Sequence, residues 1–131
     1  MTAFVDTSAL LALLDGDDDN HAAAVGTWQS LTGQSAELVT TSYVLVETTA
    51  VAQRRLGVDA VRALVGELIP LLDVIFVDEA VHAAAVATLV AAGRRHLSLV
   101  DCASFEVMRR ANITTAFAFD RHFADQGFGA A

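Results

Sequence analysis

Four short apolar segments, Ala3–Val5, Leu38–Thr40, Val74–Val77 and Thr115–Phe119, are separated by helical stretches that carry their own start and stop signals. Alternation of this kind requires right-handed crossovers between parallel strands, so the expected fold is α/β: a central parallel sheet of four to five strands flanked by helices on both faces. Asp6-Thr7-Ser8 supplies capping residues before ALLALL, and Asn20 or Asp19 caps a helix carrying Ala23, Val25, Trp28 and Leu31 that Gly33 ends. Ser42 is placed to cap a helix over 43–56, closed by Gly57, and another helix covers 58–68 before Pro70. Asp78 opens a helix that runs to Ala92 and stops at Gly93. Ser98 with Asp101 has capping-box spacing and opens a helix to about Arg110. A turn over 120–125 and an edge segment at Phe128 close the chain. With 131 residues and no repeat, linker or low-complexity tract, residues 1–131 read as one domain.

Asp6, Glu47, Asp101 and Asp120 each sit where an apolar segment hands over to a helix or turn. In an alternating chain such places converge on the carboxyl edge of the sheet. Taken singly, three of them have ordinary explanations: Asp6 as a helix N-cap, Asp101 as the acidic member of a capping box, Asp120 as a turn starter. Glu47 is different, because Val44, Leu45, Val46 and Val51 surround it in sequence, and an unpaired buried Glu is costly or protonated. Gathered together, the four carboxylates would repel one another unless a hard cation sat between them, and oxygen ligands select magnesium or manganese. Ser104, three residues beyond Asp101, and Thr7 or Ser8 beside Asp6 offer hydroxyls to orient carboxylates or bound water, although such hydroxyls are also common caps.

Composition removes several other chemistries. Net charge is -8, from 16 acids and 8 bases, and every base is Arg. Without Lys, neither a P-loop nucleotide site nor Schiff-base catalysis is available. An acidic chain does not hold nucleic acid by general electrostatics, so a nucleic-acid substrate would need a divalent cation and local Arg residues. Asp15, Asp17 and Asp19 have the first, third and fifth spacing of an EF-hand loop, but Asn20 replaces the required Gly and Gly26 the bidentate Glu, which leaves a solvated loop. His21, His82, His96 and His122 lack zinc spacing; His122, two residues from Asp120, is within reach of the acids, but a surface-turn role is the preferred reading. The single Cys102, in an apolar helix, reads as a small core residue of a reducing compartment. No uninterrupted apolar run reaches the ~18 residues of a membrane span. The apolar N-terminus has no preceding cation and is interrupted by Asp6, so no export signal is expected and the protein reads as cytoplasmic.

FVDTSALLALL, TTSYVLVET, LSLVDCASFEVM and AFAFDRHF, in this order and over essentially the whole chain, resemble the successive motifs of PIN-domain ribonucleases, and more narrowly VapC toxins of bacterial toxin-antitoxin pairs. The resemblance implies that Asp6, Glu47, Asp101 and Asp120 are the metal-binding and catalytic acids, with Thr7 or Ser8 as the accompanying hydroxyl. It further implies magnesium or manganese as cofactor, a homodimer, a small VapB-like antitoxin that blocks the acidic cleft, and a structured RNA, tRNA or rRNA, as substrate. Many members carry Thr or Ser shortly before the last Asp, where this chain has Ala118 and Phe119, so a polar supporting partner is expected to be missing.

The expected function is therefore a metal-dependent endoribonuclease that arrests translation by hydrolysis, leaving a 5'-phosphate and a 3'-hydroxyl. Arg94, Arg95 and Arg121 are the expected phosphate contacts, whereas Arg54, Arg55, Arg109 and Arg110 lie near helix C-termini, where cations offset the dipole. Tyr43, Val44, Val51, Leu64, Val65 and Leu68 are mostly core, with a surplus consistent with a dimer or antitoxin surface. A non-catalytic PIN-fold binding module is the alternative, disfavoured because all four acids are kept. A phosphatase using Asp6 as nucleophile lacks the D-x-D and Lys that such sites need.

Overall fold

The computed structural model describes residues 1–131. In chain order the elements are β1 (Thr2–Val5), α1 (Thr7–Leu14), α2 (His21–Gly33), β2 (Glu37–Thr41), α3 (Ser42–Leu56), α4 (Val58–Ala63), β3 (Asp73–Ile75), α5 (Glu79–Ala92), α6 (Leu99–Arg110), β4 (Thr115–Phe117), α7 (Arg121–Asp125) and β5 (Gly129–Ala130). The strands form one five-stranded sheet in the order β3-β2-β1-β4-β5, and every pairing is parallel. Ala3, Phe4 and Val5 have no solvent exposure although successive strand residues point to opposite faces, so the centre of the sheet is covered on both sides.

The chain leaves β1 for β2 and β3 on one side and returns to β4 and β5 on the other. The order reverses between β1 and β4, whose register pairs Phe4 with Ala116 and Val5 with Phe117. A reversal of this kind opens a crevice at the carboxyl ends of the two strands, because the connections from them run to opposite directions.

Several boundaries differ from the sequence expectation for identifiable reasons. The hydroxyl of Thr41, not Ser42, accepts from Val44 N and caps α3, while Ser42 accepts from Val77 N across to the segment after β3. The expected helix over 58–68 is α-helical only to Ala63; it widens into a π-helical turn at Leu64–Leu68 and tightens into a 3-10 turn at Ile69–Leu71. An α-helix continued through Pro70 would press its ring on the carbonyl of Gly66, which the change of pitch avoids. The third strand begins one residue early, at Asp73, and ends at Ile75, and β4 ends at Phe117. Residues 121–125, read as a turn, form α7, capped by the Asp120 carboxylate accepting from His122 N at 2.8 Å. Val44 and Leu64 are buried as expected of core residues, whereas Val65 is 55% exposed.

An aromatic cluster fastens the C-terminal elements to the sheet. Phe123 of α7 lies 6.1 Å from Phe4 of β1 and 5.1 Å, edge-on, from Phe105 of α6. Burial of one Phe here stabilises the domain and also fixes where Asp120 stands. Phe123→Ala should cost about 3–5 kcal/mol, read as a lowered urea midpoint with unchanged slope. A loss below about 1 kcal/mol would show that α7 is not held by this cluster.

Candidate active site

Asp6 follows the last residue of β1, and its backbone N–H donates to Phe117 O of β4 at 3.0 Å, which sets it at the β1/β4 crevice. Asp120 follows β4 and precedes α7. Asp101 lies in the first turn of α6 and Glu47 in α3, so the four carboxylates come from four separate stretches. The structure brings them together: Asp6, Glu47 and Asp101 each feel the charge of Asp120, and Asp6 and Glu47 each feel that of Asp101.

Capping and clustering prove to be the same placement. The Asp6 carboxylate caps α1 by accepting from Ser8 N at 3.1 Å, and it accepts from the Ser8 hydroxyl at 2.7 Å. Asp101 and Ser98 form the full capping box, each side chain accepting from the other's backbone N–H at 3.2 and 3.0 Å. Both helix N-termini therefore direct partial positive charge at the carboxylates, offsetting part of their mutual repulsion.

Burial moves these groups away from ordinary acidity. Asp6, 3% exposed, is pushed up to about 6 from 3.8 chiefly by desolvation, which outweighs its bonds to Ser8, with the charges of Asp101 and Asp120 adding to the rise. Desolvation likewise raises Glu47 and Asp101; the Thr7 hydroxyl draws Glu47 back part of the way, and Ser98 does so for Asp101. The Cys102 thiol is raised by burial and by Asp101, which suits an inert core residue.

The expected hydroxyls divide. Ser8 supports the site directly, donating to Asp6 and accepting from Phe119 N at 2.9 Å, which ties the Asp6 carboxylate to the segment before Asp120. Thr7 is buried beside Glu47, donating to Val44 O at 3.4 Å and accepting from Thr48 at 3.2 Å. Ser104 is a correction: its hydroxyl donates to Val100 O at 2.8 Å, a bond back along its own helix, and supports no carboxylate. Arg94, Arg95 and Arg121 are exposed and form no ion pair, Arg121 in the first position of α7 and the pair in the link before α6.

Two contributors go beyond the preferred sequence reading. Thr48 is fully buried, and only the meeting of α1 with α3 reveals its bond to Thr7. His122 is no surface-turn residue: its side chain is 15% exposed, and its Nε2 lies 3.0 Å from His96 O and 3.8 Å from Asp120. Ligand atoms of Asp101, Asp120 and His122 all lie within 4.8 Å of one another. Two carboxylates and one imidazole are a donor set for a divalent cation: the oxygens suit magnesium or manganese, whereas the imidazole suits a softer first-row ion, and Asp6 and Glu47 lie outside this group. The D-x-H-F spacing of Asp120, His122 and Phe123 carries the signal, since a helix opening after Asp120 turns His122 back toward its carboxylate.

Residues 3–129 match the PIN domain family model. Over 126 residues, 95% of this chain and 94% of the relative, the sequence is 36% identical to the 23S rRNA-specific endonuclease VapC20 of Mycobacterium tuberculosis. The chain belongs to the VapC family of PIN-domain proteins. The crystal structure of M. tuberculosis VapC20, described as a sarcin-ricin loop cleaving toxin, matches the PIN fold here with a TM-score of 0.85 at 35% identity, covering 98% of this chain and 96% of that one. VapBC2 from Rickettsia felis, bound to a DNA fragment from its promoter, shares the fold at a TM-score of 0.70 and 12% identity, over 100% and 98% of the chains. FitAcB from Neisseria gonorrhoeae does so at 0.69 and 16%, over 99% and 96%.

A PIN-domain centre built on a buried Asp6 has a measurable stability signature. The unfolded chain releases this proton near pH 4 and the metal-free folded protein near 6, so the folded form binds more protons across that window. Stability is therefore greatest below about pH 4 as far as this group is concerned, and falls as pH rises through 6. The difference amounts to about 3 kcal/mol. In metal-free protein at pH 7.5, Asp6→Asn should raise the thermal midpoint by several degrees, because the amide oxygen still accepts from Ser8. A lowered midpoint would show that the charge is not strained there.

Proposed function

We propose that this chain is a metal-dependent endoribonuclease toxin that hydrolyses phosphodiester bonds in structured RNA, with ribosomal RNA the first class to test. The observation that carries the reading is the convergence of Asp6, Glu47, Asp101 and Asp120 at the sheet's reversal point, three of them raised by burial. The 36% identity to an rRNA-specific endonuclease supports the substrate class. A non-catalytic module would gain nothing from keeping buried carboxylates close enough to raise one another's pKa.

Asp6, Asp101 and Asp120, with Glu47 and the His122 imidazole at the margin, are the residues to hold magnesium or manganese. When bound there, the cation supplies a water of lowered pKa and stabilises charge on the phosphodiester. Ser8 holds the Asp6 carboxylate and Ser98 that of Asp101, so these groups stay oriented while solvent is displaced. Glu47, half-buried and raised, is suited to take a proton from the attacking water on a carboxylate oxygen. Water adds at phosphorus and the bond to the 3'-oxygen breaks, giving a 5'-phosphate and a 3'-hydroxyl. Arg94, Arg95 and Arg121, free of ion pairs, hold flanking phosphates that the acidic surface would otherwise repel.

A VapB-like antitoxin and a second copy of the chain are the proposed partners. Leu45, Val46 and Ala50 on α3, Val46 being 69% exposed, line a shallow apolar cleft of about 360 Å³ that supports such contacts. Cytoplasmic action follows from the RNA substrate, and no helix is long and apolar enough to cross a membrane.

Ribosomal RNA incubated with manganese should be cut, chelator should stop the reaction, and Asp6→Asn should slow it about 100-fold or more. Arg121→Gln should weaken cleavage and flatten its salt dependence. Chelator-resistant cleavage, or a 2',3'-cyclic phosphate at the product end, would overturn the mechanism.

A further inference from the structure

Beside the carboxylates, a cleft of about 280 Å³ opens between α1, the loop that follows it and α3. Ser8, Asp15, Asp18, Val51, Arg55 and Phe119 line it, with Leu11 completing the apolar wall. It shares two residues with the acidic centre: Ser8 bonds Asp6 and accepts from Phe119 N, and Phe119 immediately precedes Asp120. A group seated here lies next to the place where a phosphate would meet the acids. The volume sits just below the ~300 Å³ at which small-ligand sites begin, which suits one planar ring rather than a folded peptide.

The chemistry of the walls is specific. Asp15 Oδ1 accepts from Asp17 N at 3.0 Å and Asp18 Oδ1 from Asn20 N at 2.7 Å, which fixes both carboxylates and leaves the other oxygen of each for a ligand. Arg55 forms no ion pair, although Asp15 and Asp18 line the same cleft. Phe119, at the position where the family resemblance leads one to expect polar neighbours, supplies an aromatic surface.

We propose that this cleft receives one base of the substrate RNA, extruded next to the cleaved bond, and that Asp15 and Asp18 select guanine by accepting from its N1–H and 2-amino group. The inference rests on the nuclease reading and adds the base that the site recognises. Carboxylates only accept, so they repel phosphate and reward a ligand edge with adjacent donors. Guanine alone among the four RNA bases has two neighbouring donors on its Watson–Crick edge; adenine and cytosine set a ring acceptor beside their amine, and uracil flanks one donor with two carbonyls. An extruded base is commonly stacked on an aromatic ring or a guanidinium plane, which Phe119 and Arg55 provide. An arginine from a partner protein would also meet the two carboxylates, so the stacking surface of Phe119 is what favours a base as occupant.

The test uses oligoribonucleotides that span the cleavage site mapped from 5'-phosphate ends, with guanosine replaced by inosine, which lacks only the 2-amino group. At one position beside the cut, inosine should lower kcat/KM for the parent about tenfold. The double variant Asp15→Asn, Asp18→Asn should cut both RNAs at the same reduced rate. In parallel, guanosine 5'-monophosphate titrated into the metal-free protein should shift the Arg55 Nε–H and Phe119 amide resonances more than the other three monophosphates do, and the variant should lose that preference.

An inosine penalty of equal size in parent and variant, or equal shifts from all four monophosphates, would overturn the proposal. So would an arginine-containing peptide that shifts Arg55 where guanosine monophosphate does not, because the cleft would then be a protein contact. Absence of all cleavage with the guanosine preference intact would sink the nuclease reading while leaving the cleft as a guanine site.

Discussion

Electrostatic repulsion among four carboxylates is the constraint around which this molecule is built, and the fold answers it with helix N-termini. Asp6 caps α1 and Asp101 belongs to the capping box of α6, so each charge is held by backbone N–H groups at the positive end of a dipole. Asp120 caps the short α7 in the same manner. The β1–β4 pairing then fixes the distance between the chain segments, through Val5 opposite Phe117 and the bond from Asp6 N to Phe117 O. Even so, burial leaves Asp6 well above its ordinary acidity, a strain that a divalent cation would relieve.

Much of this architecture was readable from residues. β-branched and apolar runs marked the strands, and Ser98, Asp78 and Asp6 marked helix starts, because capping is a local interaction between a side chain and a nearby N–H. The four acids were readable as a group for a topological reason: parallel strands send all such handovers to one edge. Long-range features were not readable. Nothing near Thr48 in sequence announces Thr7, and nothing near Ser42 announces Val77, since these contacts exist only once α3 packs on its neighbours. Ser104 failed for the opposite reason. It shares a helical spacing with Asp101, yet a buried hydroxyl finds the carbonyl four residues back before it finds a carboxylate across a gap.

An acidic PIN domain acting on RNA needs its few cations free. Arg62 is paired with Asp59 and Arg110 with Glu106, while Arg109 donates to Gln126 and lies 5.5 Å from the Phe128 ring. Arg94, Arg95 and Arg121 carry no such partners and flank the acidic crevice in sequence, before α6 and at the start of α7. His122 links the two places by reaching His96 O. The division ties the helix-terminal Arg109 and Arg110 to neighbouring side chains and leaves the arginines beside the acids unpaired, as the proposed contacts to RNA phosphates require.

The central claim is that the carboxylates at the β1/β4 reversal form one divalent-cation site. Anomalous diffraction at the manganese edge, from crystals of the protein soaked in manganese, tests it most directly. A peak within about 2.0–2.6 Å of carboxylate oxygens from Asp6, Asp101 or Asp120 is the predicted result. Absence of any peak there, or a peak confined to the Asp15–Asn20 loop, would contradict it.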